Sequence, residues 1–142
     1  MSVHVNEAFK KLVKLNNDIS SFLNSVGDYC DNVEYDSNNL DEKFLRDQLY
    51  TISDKLDDVQ RKIDYLSRPV REQGFLSHNS DRRYELPNGY YFTSGSSCEI
   101  LYLNEEEQEW VFTSIEHNGD DYYATALGRD KSINGLMARV RR

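Results

Sequence analysis

Residues 45–66 read LRDQLYTISDKLDDVQRKIDYL, and the apolar residues Leu45, Leu49, Ile52, Leu56, Val59, Ile63 and Leu66 recur at intervals of four, then three. That rhythm puts one apolar stripe along a helix and asks for a partner helix. It stops at Pro69, because proline has no N–H to give and pushes the residue before it out of the helical region. Asn39, three positions before Glu42, has the form of a capping box, so the spacing predicts a helix from Leu40 or Asp41 to about Ser67. At 1.5 Å per residue such a helix is about 40 Å long.

Upstream, Phe9, Leu12, Asn16, Ile19, Leu23 and Val26 follow the same spacing, which predicts a first helix over Val5 to Val26, stopped by Gly27. Asn16 is the one polar residue on that seam, a position where asparagine can set register. The two helices are expected to fold back as an antiparallel, coiled-coil-like hairpin over residues 1–68. The leftover seam of the longer helix is expected to serve a homodimer.

Downstream the period changes to two. Pro69 to Arg83 carries Gly74, Ser77, His78, Asn79 and Ser80 and reads as a linker. From Tyr84 on, short runs rich in tyrosine and β-branched residues predict strands. Pro87-Asn88-Gly89 and Asn118-Gly119 mark turns. The expected fold class is α+β: a helical hairpin, a linker over 69–83, and a small five-stranded SH3-like β-barrel over 84–142. A sheet this small is expected to close on itself to hide its edges.

The chain has 142 residues and a formal net charge of −8, which argues against non-specific attraction to DNA or anionic lipid. The charge is laid out in blocks. Residues 84–128 hold nine carboxylates and no lysine or arginine, whereas residues 129–142 hold five basic residues and one acidic. Two carboxylate groups stand out as candidate partner-binding residues: Asp28, Asp31, Glu34 and Asp36 between the helices, and Glu105, Glu106, Glu107 and Glu109 in a later loop. In a strand, Arg139 and Arg141 share a face, and with Arg142 they are candidate phosphate ligands. Pairing of these arginines with carboxylates of the same domain is the competing expectation.

Catalytic and metal motifs find no support. From Asp36, the fifth and sixth positions of a calcium loop would be Leu40 and Asp41, where a ligand and a glycine are needed. His4, His78 and His117 are far apart in sequence and from Cys30 and Cys98, so zinc spacing is absent. His117 beside Asp120 and Asp121 reads as a strand end rather than a base. Ser94-Gly95-Ser96 lacks the lysine and helix of a phosphate loop. The expectation is a protein that is not an enzyme and takes no cofactor. With two distant cysteines and no long apolar run, it is expected to be cytoplasmic, with both thiols free.

From Tyr84 to Arg141 the chain resembles a small bacterial domain family of unknown function from Gram-positive bacteria, their phages and their conjugative elements. The residues that carry the resemblance are Tyr84-Glu85-Leu86, Gly89-Tyr90-Tyr91, Thr93-Ser94-Gly95, Glu99-Ile100, Trp110, Ile115-Glu116-His117, Tyr122-Tyr123, and Ile133-Asn134-Gly135-Leu136 with Arg139-Val140-Arg141. The resemblance implies a small β-barrel, no known catalytic residues and a mobile-element ancestry. By analogy of class, an acidic protein of this kind looks like an inhibitor of host nucleases, anti-CRISPR proteins included. The functional expectation is therefore a non-enzymatic DNA mimic that inhibits a nucleic-acid-handling host protein, such as a type II CRISPR effector nuclease. The alternatives are a dimeric adaptor with a peptide-binding barrel, or a nucleic-acid-binding module using its basic C-terminus.

Overall fold

The computed structural model describes all 142 residues, in two compact units, Met1–Ser67 and Arg68–Arg142. The first unit holds α1 (Val5–Val26), one 3-10 turn (Asp28–Cys30) and α2 (Leu40–Ser67). The second holds β1 (Val70–Phe75), β2 (Ser77–His78), β3 (Tyr84–Glu85), β4 (Ser97–Asn104), β5 (Glu107–His117), β6 (Tyr122–Ala124) and β7 (Met137–Arg141). The chain is α+β.

The helix ends follow local chemistry. His4 Nδ1 accepts from the Asn6 N–H at 3.1 Å and caps α1. Gly27, at φ +76°, ends it, its N–H donating to the Leu23 carbonyl. A Cβ on Gly27 would lie 2.1 Å from Asp31 Oδ1, so this position needs glycine for both space and dihedral. Asn39 Oδ1 accepts from the N–H groups of Asp41 (3.0 Å) and Glu42 (3.2 Å), capping α2. The returning half of a capping box is replaced, since the Asn39 N–H donates to the Asp36 carbonyl.

Between the helices, Asn16 Nδ2 donates to Asp64 Oδ1 at 2.9 Å, and Gln60 donates to Ser20 Oγ. Numbers rise along α1 as they fall along α2. This seam is polar, and the buried apolar residues of the first unit are only Val26, Cys30, Ile63 and Tyr65. Expected seam residues of α2 are turned away from it: Leu45, Ile52 and Val59 are 58, 49 and 44% exposed. The reason is level along the helix: Ile63, five full turns from Leu45 and at the same phase, is buried, whereas the pairs 16–64 and 20–60 place Ile52 and Leu45 past the end of α1 at Val26.

The five-stranded sheet is antiparallel, in the order β1-β7-β4-β5-β6. It is open, which corrects the expected closed barrel. Its edges are β1 and the three-residue β6, and no ladder joins them. A separate two-stranded ribbon pairs β2 with β3. Tyr90–Thr93, one of the short tyrosine-rich runs after Tyr84, makes only an isolated bridge, Glu85 to Tyr91.

The expected linker over 69–83 is also corrected. Val70 to Phe75 pairs along β7, with a register shift between Val70 and Glu72. Leu76 is buried and exchanges hydrogen bonds with Leu136 and Gly135. Gly74, which suggested a flexible link, is there for close packing: a Cβ would lie 2.4 Å from Pro87 Cδ. One apolar core underlies this unit, built from Tyr84, Leu86, Phe92, Cys98, Ile100, Ile115 and Ile133 among others.

Candidate functional site

The first carboxylate group sits on a strained turn. Cys30 is buried, its thiol 3.6 Å from Ser53 Oγ on α2. That anchor draws the backbone inward, and Tyr29 (φ +55°) and Cys30 (φ +57°) both adopt the left-handed region. Non-glycine residues take that conformation at a cost of about 1–2 kcal/mol each. Tyr29 is thereby thrown outward, 78% exposed, with its ring stacked on Tyr50 at 6.2 Å. Beneath it lies a cavity of about 470 Å³ lined by Asp28, Tyr29, Tyr50, Asp54, Asp57 and Arg61, among others. Arg61 is already paired with Asp57 at 2.8 Å. Asp28, Asp31, Glu34 and Asp36 are all exposed, and none has a cationic side chain within 4.0 Å.

The second group caps the longest hairpin. Asn104 pairs with Glu107, so the expected acidic loop is only a two-residue turn, Glu105-Glu106, and Glu107 and Glu109 stand on β5. Glu105 has φ +54°, where glycine or asparagine would fit without strain. Glu105, Glu106, Glu107 and Glu109 are exposed and unpaired with any cation.

The C-terminal arginines point elsewhere. Glu99 on β4 is buried, and Arg139 and Arg141 on the neighbouring β7 both reach it, at 2.9 and 3.1 Å. The Arg139 guanidinium also lies over the Trp110 ring, 4.0 Å from its centroid. Arg142 pairs with Glu72 and lies 4.8 Å from the Tyr90 ring centroid. All three candidate phosphate ligands thus have internal carboxylate partners. A buried carboxylate of this kind needs such donors, because an unpaired charge there costs several kcal/mol. The pairing takes Glu99 and Glu72, not the two exposed groups.

The histidines do not form a catalytic set. His117 Nδ1 accepts from the Gly119 N–H and stays at the turn. Asp121, expected beside it, binds His78 Nε2 and the Tyr84 hydroxyl instead, each at 2.9 Å. Burial works against its ionisation, but hydrogen bonds from His78, Tyr84 and the Tyr122 N–H outweigh it and hold the Asp121 carboxyl below the usual range. Burial, then Asp121 itself, pushes the Tyr84 phenol up to about 12. Only the pairing of β2 with β3 brings His78 and Tyr84 side by side, and no sequence spacing announces it. Likewise, Tyr50, Asp54 and Asp57 join the first group only through the fold of the connector onto α2.

No cluster of three or more His, Cys, Asp or Glu side chains is arranged to hold a metal ion, and no helix is long and apolar enough to cross a membrane. No curated protein and no solved structure matches the chain. Residues 74–140, from within β1 to within β7, match the family model of a domain of unknown function, DUF5348.

Proposed function

We propose that this is a non-enzymatic binding protein whose exposed carboxylates engage a basic, phosphate-binding surface on a nucleic-acid-handling protein. One observation carries the reading: all eight carboxylates of the two groups face solvent without a cation within 4.0 Å. Carboxylates left unpaired, four of them (Asp28, Asp31, Glu105 and Glu106) beside or on left-handed backbone, are what a surface aimed at an external cation retains. The Tyr29–Tyr50 stack beside Asp28 and Asp54 adds a face on which an arginine of the partner can lie. In this reading the helices form an antiparallel hairpin that carries the connector, and the curled sheet carries the β4–β5 tip.

A type II CRISPR effector nuclease is the first partner to test, by surface-immobilised binding at rising salt and with DNA or guide RNA as competitor. The expected association rate falls about tenfold or more between 50 and 300 mM salt, and nucleic acid competes. Asp28→Asn with Asp31→Asn, and Glu105→Gln with Glu106→Gln, are each expected to slow association several-fold. Undiminished binding with both groups neutralised would end the electrostatic reading.

A further inference from the structure

We infer that Asn118-Gly119 is a self-modifying step, at which the β5–β6 turn closes a succinimide between the Gly119 nitrogen and the Asn118 side chain. The chain contains three Asn-Gly pairs, at 88–89, 118–119 and 134–135. In each, the glycine nitrogen and the asparagine Cγ can close a five-membered ring, and glycine has no side chain to screen the nitrogen. What the nitrogen faces differs. The Gly89 and Gly135 N–H groups donate to the carbonyls of Leu86 and Leu76, both at 2.9 Å, and an amide oxygen takes no proton at neutral pH. The Gly119 N–H donates to His117 Nδ1 at 3.0 Å, so its proton already points at a base. The His117 ring is held edge-on to Tyr122, with 4.8 Å between centroids.

Further donors sit where charge develops. The Arg129 guanidinium donates to the Asn118 main-chain carbonyl at 2.8 Å. That oxygen shares the negative charge when the Gly119 nitrogen loses its proton, so the guanidinium favours the loss. The Asn118 side-chain oxygen accepts from the N–H groups of Asp120 and Asp121, at 2.8 and 2.9 Å. Those two donors polarise the carbon under attack and hold the oxyanion that forms on it. Asn88 Oδ1 has one such donor, the Tyr90 N–H at 3.2 Å. His117 and Gly119 are exposed, and a Cβ on Gly119 would meet nothing within 4 Å, so water reaches the ring. The step balances. His117 Nδ1 takes the Gly119 proton, the nitrogen bonds to Cγ, and Nδ2 leaves as ammonia, taking that proton with it. Water then opens the ring, at Cγ to give aspartate or at the main-chain carbon to give isoaspartate. Either product gains a carboxylate and loses the 3.0 Å bond from Asn118 Nδ2 to the Arg129 carbonyl. The turn acts once, on its own chain, and on no external substrate.

The test is incubation of the full chain at neutral pH, followed by mass mapping of its peptides and labelling with an isoaspartyl methyltransferase. In the folded chain Asn118 is expected to convert at least about tenfold faster than Asn88 or Asn134. In urea all three lose their surroundings, and their rates are expected to converge. His117→Gln and Arg129→Gln are each expected to slow the folded conversion about tenfold and to leave the rate in urea unchanged. The comparison of three sites within one wild-type chain needs no substitution, so it stands even if a variant fails to fold. Equal rates at the three pairs in the folded chain overturn the inference, as does indifference to both substitutions. Cleavage of the chain after Asn118, the product of Nδ2 attacking its own main-chain carbonyl, overturns the assignment of the Gly119 nitrogen as nucleophile.

Discussion

At the residue scale, burial of titratable groups sets how the second unit answers to pH. Cys98 is buried in the core, and burial, then the nearby Glu99 charge, pushes its thiol up to about 12. Tyr84 is buried too, and its phenol is pushed up to about the same value. Both groups are acids whose pKa is higher folded than unfolded, so the folded state keeps protons that the unfolded chain releases. Their contribution to stability is complete below pH 9 for the thiol and pH 10 for the phenol. It is lost as pH rises toward 12. The urea midpoint is therefore expected to hold between pH 7 and 8.5 and to fall steeply between 9 and 12, less steeply in Cys98→Ala. A midpoint that stays level to pH 11.5 would contradict the burial of both groups. The sequence announced a free, buried thiol through the isolation of its cysteines. It gave no sign of Asp121 under Tyr84, because that contact depends on a ribbon too short to show a period.

At the element scale, the helices were legible because their signals are local. Asn39, Gly27 and Pro69 act within one turn, and the observed bounds Val5–Val26 and Leu40–Ser67 are those the caps and the 3.6-residue period predict. The stretch over 69–83 is not the linker its composition suggests, because its glycine answers to a distant neighbour. Composition cannot tell a glycine that gives freedom from one that makes room. Gly74 makes room, and Gly74→Ala would drive a methyl group to within 2.4 Å of the Pro87 ring. The substitution is expected to cost about 1–3 kcal/mol, seen as a lower thermal midpoint of the sheet. The contrast is Gly95→Ala, which meets nothing within 4 Å but keeps a backbone at φ +88°. Its cost is conformational alone, about 1 kcal/mol. Equal midpoints for Gly74→Ala and wild type would mean that β1 does not pack against the Pro87 turn.

At the scale of the whole molecule, the two units differ in what holds them together, and the difference is physical rather than one of length. Residues 68–142 bury eleven apolar side chains in one cluster and close their ladders with the Glu99–Arg139–Arg141 group. Residues 1–67 bury four and join their helices through amides and hydroxyls. The first unit therefore has much less buried apolar surface than the second to offset the entropy lost in ordering its chain. The heptad in the sequence foretold an apolar stripe in search of a partner. It did not tell which half of the stripe would meet α1, since the position of the shorter α1 along α2 decides that. The consequence can be measured on separated units. Residues 68–142 are expected to give a dispersed amide spectrum and a single urea transition at any concentration. Residues 1–67 are expected to lose helical circular dichroism on dilution through the micromolar range and to regain it on concentration. An unfolded 68–142 fragment would show that its core needs the helices. A 1–67 fragment equally helical at every concentration would show that the polar seam suffices without a partner.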